Sequence, residues 1–189
     1  MPDCGKVKRG IAAPCEPAVA GLKTQLVVVR YDDIASIVRD ATNPKLVNLT
    51  LKTGKKGFLF EGLGDSNAAR VKYAQGKYTG TYTHEVDLVA FGLGPEDTAT
   101  VETLAKDRVV TVVPDNNGYY KVHGLNAGLT ASKLDTDTAN KDTGGAPEIT
   151  ISSDKEKGLA DFFAKMDTTG ATPVIDPVAT AAAFTALYL

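Results

Sequence analysis

The chain contains two histidines, His84 and His123. Together they could act as a base and its partner, with Glu85 and Asp87, two apart on one strand face, as an acid–base pair. A nucleophilic centre also needs a Ser or Cys held against the base, and an acid that orients the base in turn. The sequence nominates no such nucleophile. The plainer reading makes the histidines strand residues among aromatic and small neighbours, and the carboxylates a solvated acidic face. No catalytic residue is assigned, and a hydrolase or lyase using His84 ranks last among the functions considered.

The remaining chemical motifs are incomplete. Gly62-Leu63-Gly64-Asp65-Ser66-Asn67 begins like a dinucleotide fingerprint but has Asn67 where the third glycine belongs, with no parallel βαβ context. Gly54-Lys55-Lys56 lacks the upstream glycine and the hydroxyl residue of a phosphate loop. Asp135, Asp137, Asn140 and Asp142 gather oxygen ligands. An EF-hand-type loop that starts at Asp135 would put Ala139 at its fifth position and Asn140 where glycine is required. A solvated Asx-rich turn fits better. Cys4 and Cys15 lie in a Pro-containing arm far from both histidines, so free thiols are expected and no metal or cofactor site is assigned. Lys52, Lys55, Lys56, Lys72 and Lys77, interleaved with Phe58, Phe60 and Tyr73, have the pattern of an oligonucleotide platform. A hairpin with solubilising lysines has the same pattern, and the acidic remainder of the chain favours that reading.

Composition narrows the class. At 189 residues, 43% hydrophobic and 23% charged, the chain is long enough for one domain with a substantial core. Its net charge of −2 gives no general attraction to nucleic acid. No apolar run approaches the roughly 20 residues of a membrane-spanning helix. Lys6, Lys8 and Arg9 are not followed by an apolar stretch of the signal-peptide kind, and Pro14 and Pro17 interrupt the segment. Folding in the cytoplasm is expected, which makes Asn48-Leu49-Thr50 a chance sequon.

The elements that must position these residues are mostly strands. Gln25–Tyr31 is a continuous apolar run, which predicts a strand buried on both faces. Asp32–Arg39 has Ile34, Ile37 and Val38 at helical spacing and predicts a turn or two of helix. Leu46–Lys52 alternates, and with Phe58–Glu61 across Thr53–Gly57 it predicts a β-hairpin. Gly62–Gly80 reads as a long loop. Thr81–Phe91 predicts a strand with Tyr82, His84, Val86 and Leu88 on one side. Pro95 opens a helix to about Lys106, with Glu96 and Asp97 at its positive end and Val101, Leu104 and Ala105 on one face. Strands at Arg108–Val113 and Tyr119–His123 flank the Asn116-Asn117-Gly118 turn. Lys133–Pro147 is a polar loop, and Glu148–Ser152 the last strand. Residues 168–177 are loose, and Asp176-Pro177 caps a final helix whose apolar face includes Phe184, Leu187 and Tyr188. The expected architecture is mainly β (α+β): a small antiparallel barrel or sandwich flanked by one short helix. An N-terminal arm (1–23) and a C-terminal arm (167–189) bracket a β domain (24–166) with a long hairpin or loop at 53–80.

One run supports a family resemblance. Tyr78-Thr79-Gly80-Thr81-Tyr82-Thr83-His84 leads into a strand. A short acidic helix, Arg108–Val113 and a turn follow, and then Tyr120-Lys121-Val122-His123-Gly124-Leu125-Asn126-Ala127-Gly128-Leu129. With Gly145-Ala146-Pro147-Glu148-Ile149-Thr150-Ile151 further on, residues 78–152 resemble tail-tube-type virion proteins of bacteriophages, especially those of phages that infect Bacteroidetes. The resemblance implies a virion protein assembled in the host cytoplasm. Its copies would form hexameric rings stacked into a tube that passes DNA without binding it. Its partners would be other copies of the chain and further tail proteins such as a tape measure, sheath or terminator, with no membrane and no cofactor. The implied bridging segments are 1–23, 53–80 and 167–189. The candidate subunit contacts are Phe58, Phe60 and Tyr73 in the central segment, Phe184, Leu187 and Tyr188 in the C-terminal one, and the adjacent pair Phe162 and Phe163 of the β domain. The alternatives are another head–tail or tail component on the same fold, and a ligand-binding β-barrel. Bottom-up, a ring would also pair exposed strand edges and bury an apolar C-terminus.

Overall fold

The apolar run Gln25–Arg30 (β1) is buried on both faces, and the two cores of the molecule lie on either side of it. The computed structural model describes residues 19–92, 94–167 and 174–189. In chain order the other elements are β2 (Ile34–Arg39), β3 (Leu46–Leu51), β4 (Phe58–Glu61), β5 (Ala68–Gln75) and β6 (Gly80–Val89). Helix α1 (Pro95–Lys106), β7 (Val109–Pro114), β8 (Tyr120–His123) and β9 (Thr130–Asp135) follow. The chain ends with β10 (Glu148–Glu156), β11 (Asp161–Phe163), β12 (Lys165–Asp167), β13 (Val174–Asp176) and α2 (Pro177–Thr185).

A seven-stranded sheet has the order β2-β3-β11-β8-β7-β1-β4, and a four-stranded sheet the order β5-β6-β10-β9. The fold is mainly β and sandwich-like, with no closed barrel. Leu26 and Val28 of β1 join Val86, Leu88, Ile149, Ile151 and Leu129 between the sheets. Val27 and Val29 face the other way, among Val47, Val110, Val112, Val122 and Phe163.

The larger sheet must curl. β1 and β2 are sixth and first in the order, yet only Tyr31–Asp33, a turn of 3-10 helix, joins them. In a flat sheet they would stand about 24 Å apart, and the link spans at most about 14 Å. The six-residue link from β3 to β4 crosses the same five positions and spends residues on a turn at Lys52–Lys55, which fits the same curl. On the concave side, α2 lays Phe184 into the core, and the turn after it adds Leu187. Its C-terminal end is fastened to the β4 rim, where Gly57 N–H donates to Leu187 O at 2.6 Å and Lys56 Nζ donates to Leu189 O.

Several expectations need correction. β3 and β4 do not form a hairpin: β3 pairs with β2 and β11, and β4 with β1, because buried β1 needs a hydrogen-bonding partner on each edge, β7 on one and β4 on the other. Ile34–Arg39 is an edge strand, since pairing with β3 overrides its helical spacing. The expected 62–80 loop contains β5, which pairs with β6 along its whole length. Strand β10 extends to Glu156, and three short strands come after it. Two helices flank the sheets, not one. The C-terminal segment is not a free arm within its described residues. It is docked by the β12–β13 pair, by Lys165 N–H donating to Thr180 Oγ1, and by the Asp176 cap on Ala179 N–H. Of the N-terminal arm, 1–18 with both cysteines lies outside the described residues, and 19–23 run beside the Asp115–Asn117 turn.

Strands β1, β6 and β7, helix α1 with Val101 and Leu104 buried, and the capped α2 stand where the sequence places them. Pro114 ends β7, and Gly118 takes the positive φ that its turn demands.

Candidate functional site

Three buried titratable groups, His84, Glu156 and Asp161, line one cleft of about 430 Å³ between β6, the ends of β8 and β10 and the start of β11, and His123 lies against its His84 wall. His84 projects from the buried face of β6, and His123 ends β8, 2% exposed. Their rings meet edge to face with centroids 5.3 Å apart. The structure therefore brings the two histidines together, although they are far apart in sequence.

His84 has both nitrogens engaged: Nδ1 accepts the Gly124 N–H at 3.3 Å, and Nε2–H donates to Gly158 O at 2.7 Å. This pattern fixes one neutral tautomer and leaves no lone pair for a substrate proton. Among the described residues His123 has no partner on either nitrogen, and its cross-strand neighbour Thr111 has none on Oγ1. Burial, then the charges of His84 and Lys121, push His123 down to about 3, so it stays neutral at physiological pH.

Two carboxylates in the cleft were not legible in the sequence. Glu156 accepts from the backbone N–H groups of Asn126 and Ala127 at 3.1 and 3.0 Å, and from Asn126 Nδ2 at 2.8 Å. It thereby anchors the Gly124–Leu129 segment that carries the family resemblance. That segment turns on two left-handed glycines, Gly124 and Gly128; a Cβ at 124 would come within 2.6 Å of Leu129, and one at 128 would strike Arg108. Tyr31 packs there too, its hydroxyl donating to Asn126 O at 3.0 Å with the Arg108 guanidinium stacked 4.2 Å over its ring. Asp161 pairs with Arg39 at 2.8 Å and Lys45 at 3.0 Å, tying β2 and the following turn to β11. In sequence, Glu156 sits in a charged run that reads as solvent-facing, and only the β-bulge after Ser153 carries it inward.

The cleft is thus a network of mutually committed groups. It positions chain segments: His84 holds Gly124 and Gly158, Glu156 holds Asn126 and Ala127, and Asp161 holds Arg39 and Lys45. Glu85 and Asp87 lie outside it, on the outer face of the four-stranded sheet, where Arg70 bridges both and Lys72 reaches Glu85 at 3.2 Å. Burial pushes Glu85 up, but Lys72 and Arg70 outweigh it and hold the carboxyl below the usual range. Asp137 and Asn140 accept hydrogen bonds from their own backbone, at Ala139 and Asp142, as Asx turns do. Among the described residues no three His, Cys, Asp or Glu are grouped to hold a metal. Among the described residues no helix is long and apolar enough to cross a membrane.

The candidate subunit contacts divide in two. Phe163, Phe184 and Leu187 are at most 5% exposed and pack in the chain's own core, so they are corrected to core residues. The short α2 needs an apolar seat, and the concave sheet supplies one. Phe162 stacks on Tyr119 and Tyr188 on Phe184, both half-buried. Phe58 and Tyr73 remain on the surface at 53% and 56% exposure. Phe58 and Phe60 edge an apolar groove of about 430 Å³ under α1, floored by Val28, Leu104 and Val109. Missed from the sequence were Ile37 and Val38, exposed on edge strand β2, and Tyr78, exposed at the β5–β6 turn. Family models, curated proteins and solved structures yield no match to the chain.

Proposed function

We propose that this chain is a non-enzymatic virion structural protein, a tail tube subunit that self-assembles into stacked, sixfold rings through which DNA passes. The observation that carries this reading is the pair of free edges on the seven-stranded sheet, both of which display apolar side chains. Among the described residues β2 pairs only with β3 and exposes Ile37 and Val38, while β4 pairs only with β1 and exposes Phe58. A lone soluble domain normally blunts such edges with charge, proline or a covering element. Ring closure by heterologous contact would pair one end of the sheet with the other in the next copy. The family resemblance of residues 78–152 supplies the tube, and the hydrogen bonds that commit His84, Glu156 and Asp161 to chain segments favour a structural role for the cleft. Other copies and other tail proteins are the partners, and the acidic balance of the chain suits a lumen that does not hold DNA.

Sedimentation velocity of the full chain over a rising concentration series tests this. Self-assembly predicts species of at least six copies that grow with concentration, whereas a monomer at every concentration contradicts it. The groove under α1 favours one second reading, a binding domain for a small apolar ligand. Saturable binding of an apolar fluorophore by a strictly monomeric protein, abolished in Phe60→Asp, would support that reading over the tube.

A further inference from the structure

The core between the two sheets is apolar except at one end. There β6 contributes His84, and the paired strands β7 and β8 contribute Thr111 and His123. The two imidazoles are the side chains that touch across this end of the seam. His84 also receives the Gly124 N–H, which begins the turn held by Glu156.

The site is built for uncharged rings. From its own strand, Lys121 adds positive charge near His123, and its Nζ is already paired with Asp115 at 3.2 Å. From β7 comes only the neutral Thr111. From β6, His84 adds positive charge if it is protonated. Beyond His84 the cleft holds Glu156 from β10, committed to three N–H groups, and Asp161 from β11, committed to Arg39 and Lys45, with Lys157 alongside. No carboxylate among the described residues pairs with either imidazole. A proton on His84 Nδ1 would also set N–H against the Gly124 N–H.

We propose that the His84–His123 contact is an acid-operated latch between the two sheets: neutral rings hold the β6–β8 seam closed, and protonation opens it while each sheet keeps its own ladder. The proton comes from solvent and occupies an imidazole lone pair that the open seam exposes. Opening releases Gly124 N–H from His84 and loosens the 124–128 turn. Folded, His123 takes its proton only near pH 3, whereas a ring released to water does so near 6.5. Between these limits the open form gains about tenfold in population per pH unit for each ring that must charge. The latch is independent of the tube reading and operates equally in a monomer.

Amide hydrogen exchange by NMR on the full chain, corrected for intrinsic rates, tests the latch. The opening constant at Gly124, Asn126 and Ala127 should rise about tenfold per pH unit below 6.5, while Val28 and Val112 in the seven-stranded sheet stay protected. His123→Leu should flatten the rise. If that variant does not fold, His123→Phe serves, and the wild-type ring titration is decisive by itself. A flat Gly124 response down to pH 4.5 would overturn the proposal. So would simultaneous loss at Gly124 and Val28, or a His123 ring that titrates near 6.5 with the seam closed.

Discussion

His123 is a polar side chain kept where nothing satisfies it, and that has a measurable consequence. Its folded pKa lies below its unfolded one, so the unfolded chain takes the proton first. Stability is therefore complete above about pH 6.5 and is lost as pH falls toward about 3. The loss approaches about 1.4 kcal/mol per pH unit within that window. Thermal melts from pH 7.5 to 4.5 should show this slope, and His123→Leu should reduce it by one proton without lowering the melting temperature at pH 7. Glu156 is the opposite case, a 5% exposed carboxylate satisfied by three donors. Glu156→Ala should cost about 2–4 kcal/mol in urea unfolding, because it strands buried N–H groups. His84 was legible as a residue on the buried side of its strand. Glu156 and Asp161 were not, because a bulge and an ion-pair tie carry no local signal.

At the scale of elements, glycines sharing a left-handed backbone can be separated by their surroundings. Gly118 and Gly128 have φ of +83° and +77°, but a Cβ at 118 meets open space and one at 128 meets Arg108. Gly118→Ala should cost about 1 kcal/mol from backbone strain alone, and Gly128→Ala distinctly more. Strands with strong runs, such as β1 and β7, were legible because burial on both faces leaves continuous apolar sequence. β2 was not: an exposed edge strand need not alternate, and its isoleucines and valine fell at helical spacing by chance. β5 was hidden by Arg70 and Lys72, which serve a solvated outer face. The β3–β4 hairpin was misread because local turn chemistry cannot register a sheet that curls. Helix α2 and the turn after it supply Phe184 and Leu187 to the concave core, so removal of residues 177–189 should give an insoluble or unfolded chain, read by loss of near-ultraviolet dichroism.

At the scale of the molecule, the described surface exposes apolar side chains at both edges of the seven-stranded sheet, with Ile37 and Val38 on one and Phe58 on the other. Assembly predicts that Val38→Lys, on an exposed edge, abolishes higher-order species while it shifts unfolding free energy by less than about 0.5 kcal/mol. The central claim is that copies of this chain close into rings and stack. Negative-stain electron microscopy of the concentrated full chain addresses it directly. The account predicts rings or tubes of uniform width with a central lumen, absent in Val38→Lys. Fields of separate single-domain particles from the wild-type protein at the same concentration would contradict it.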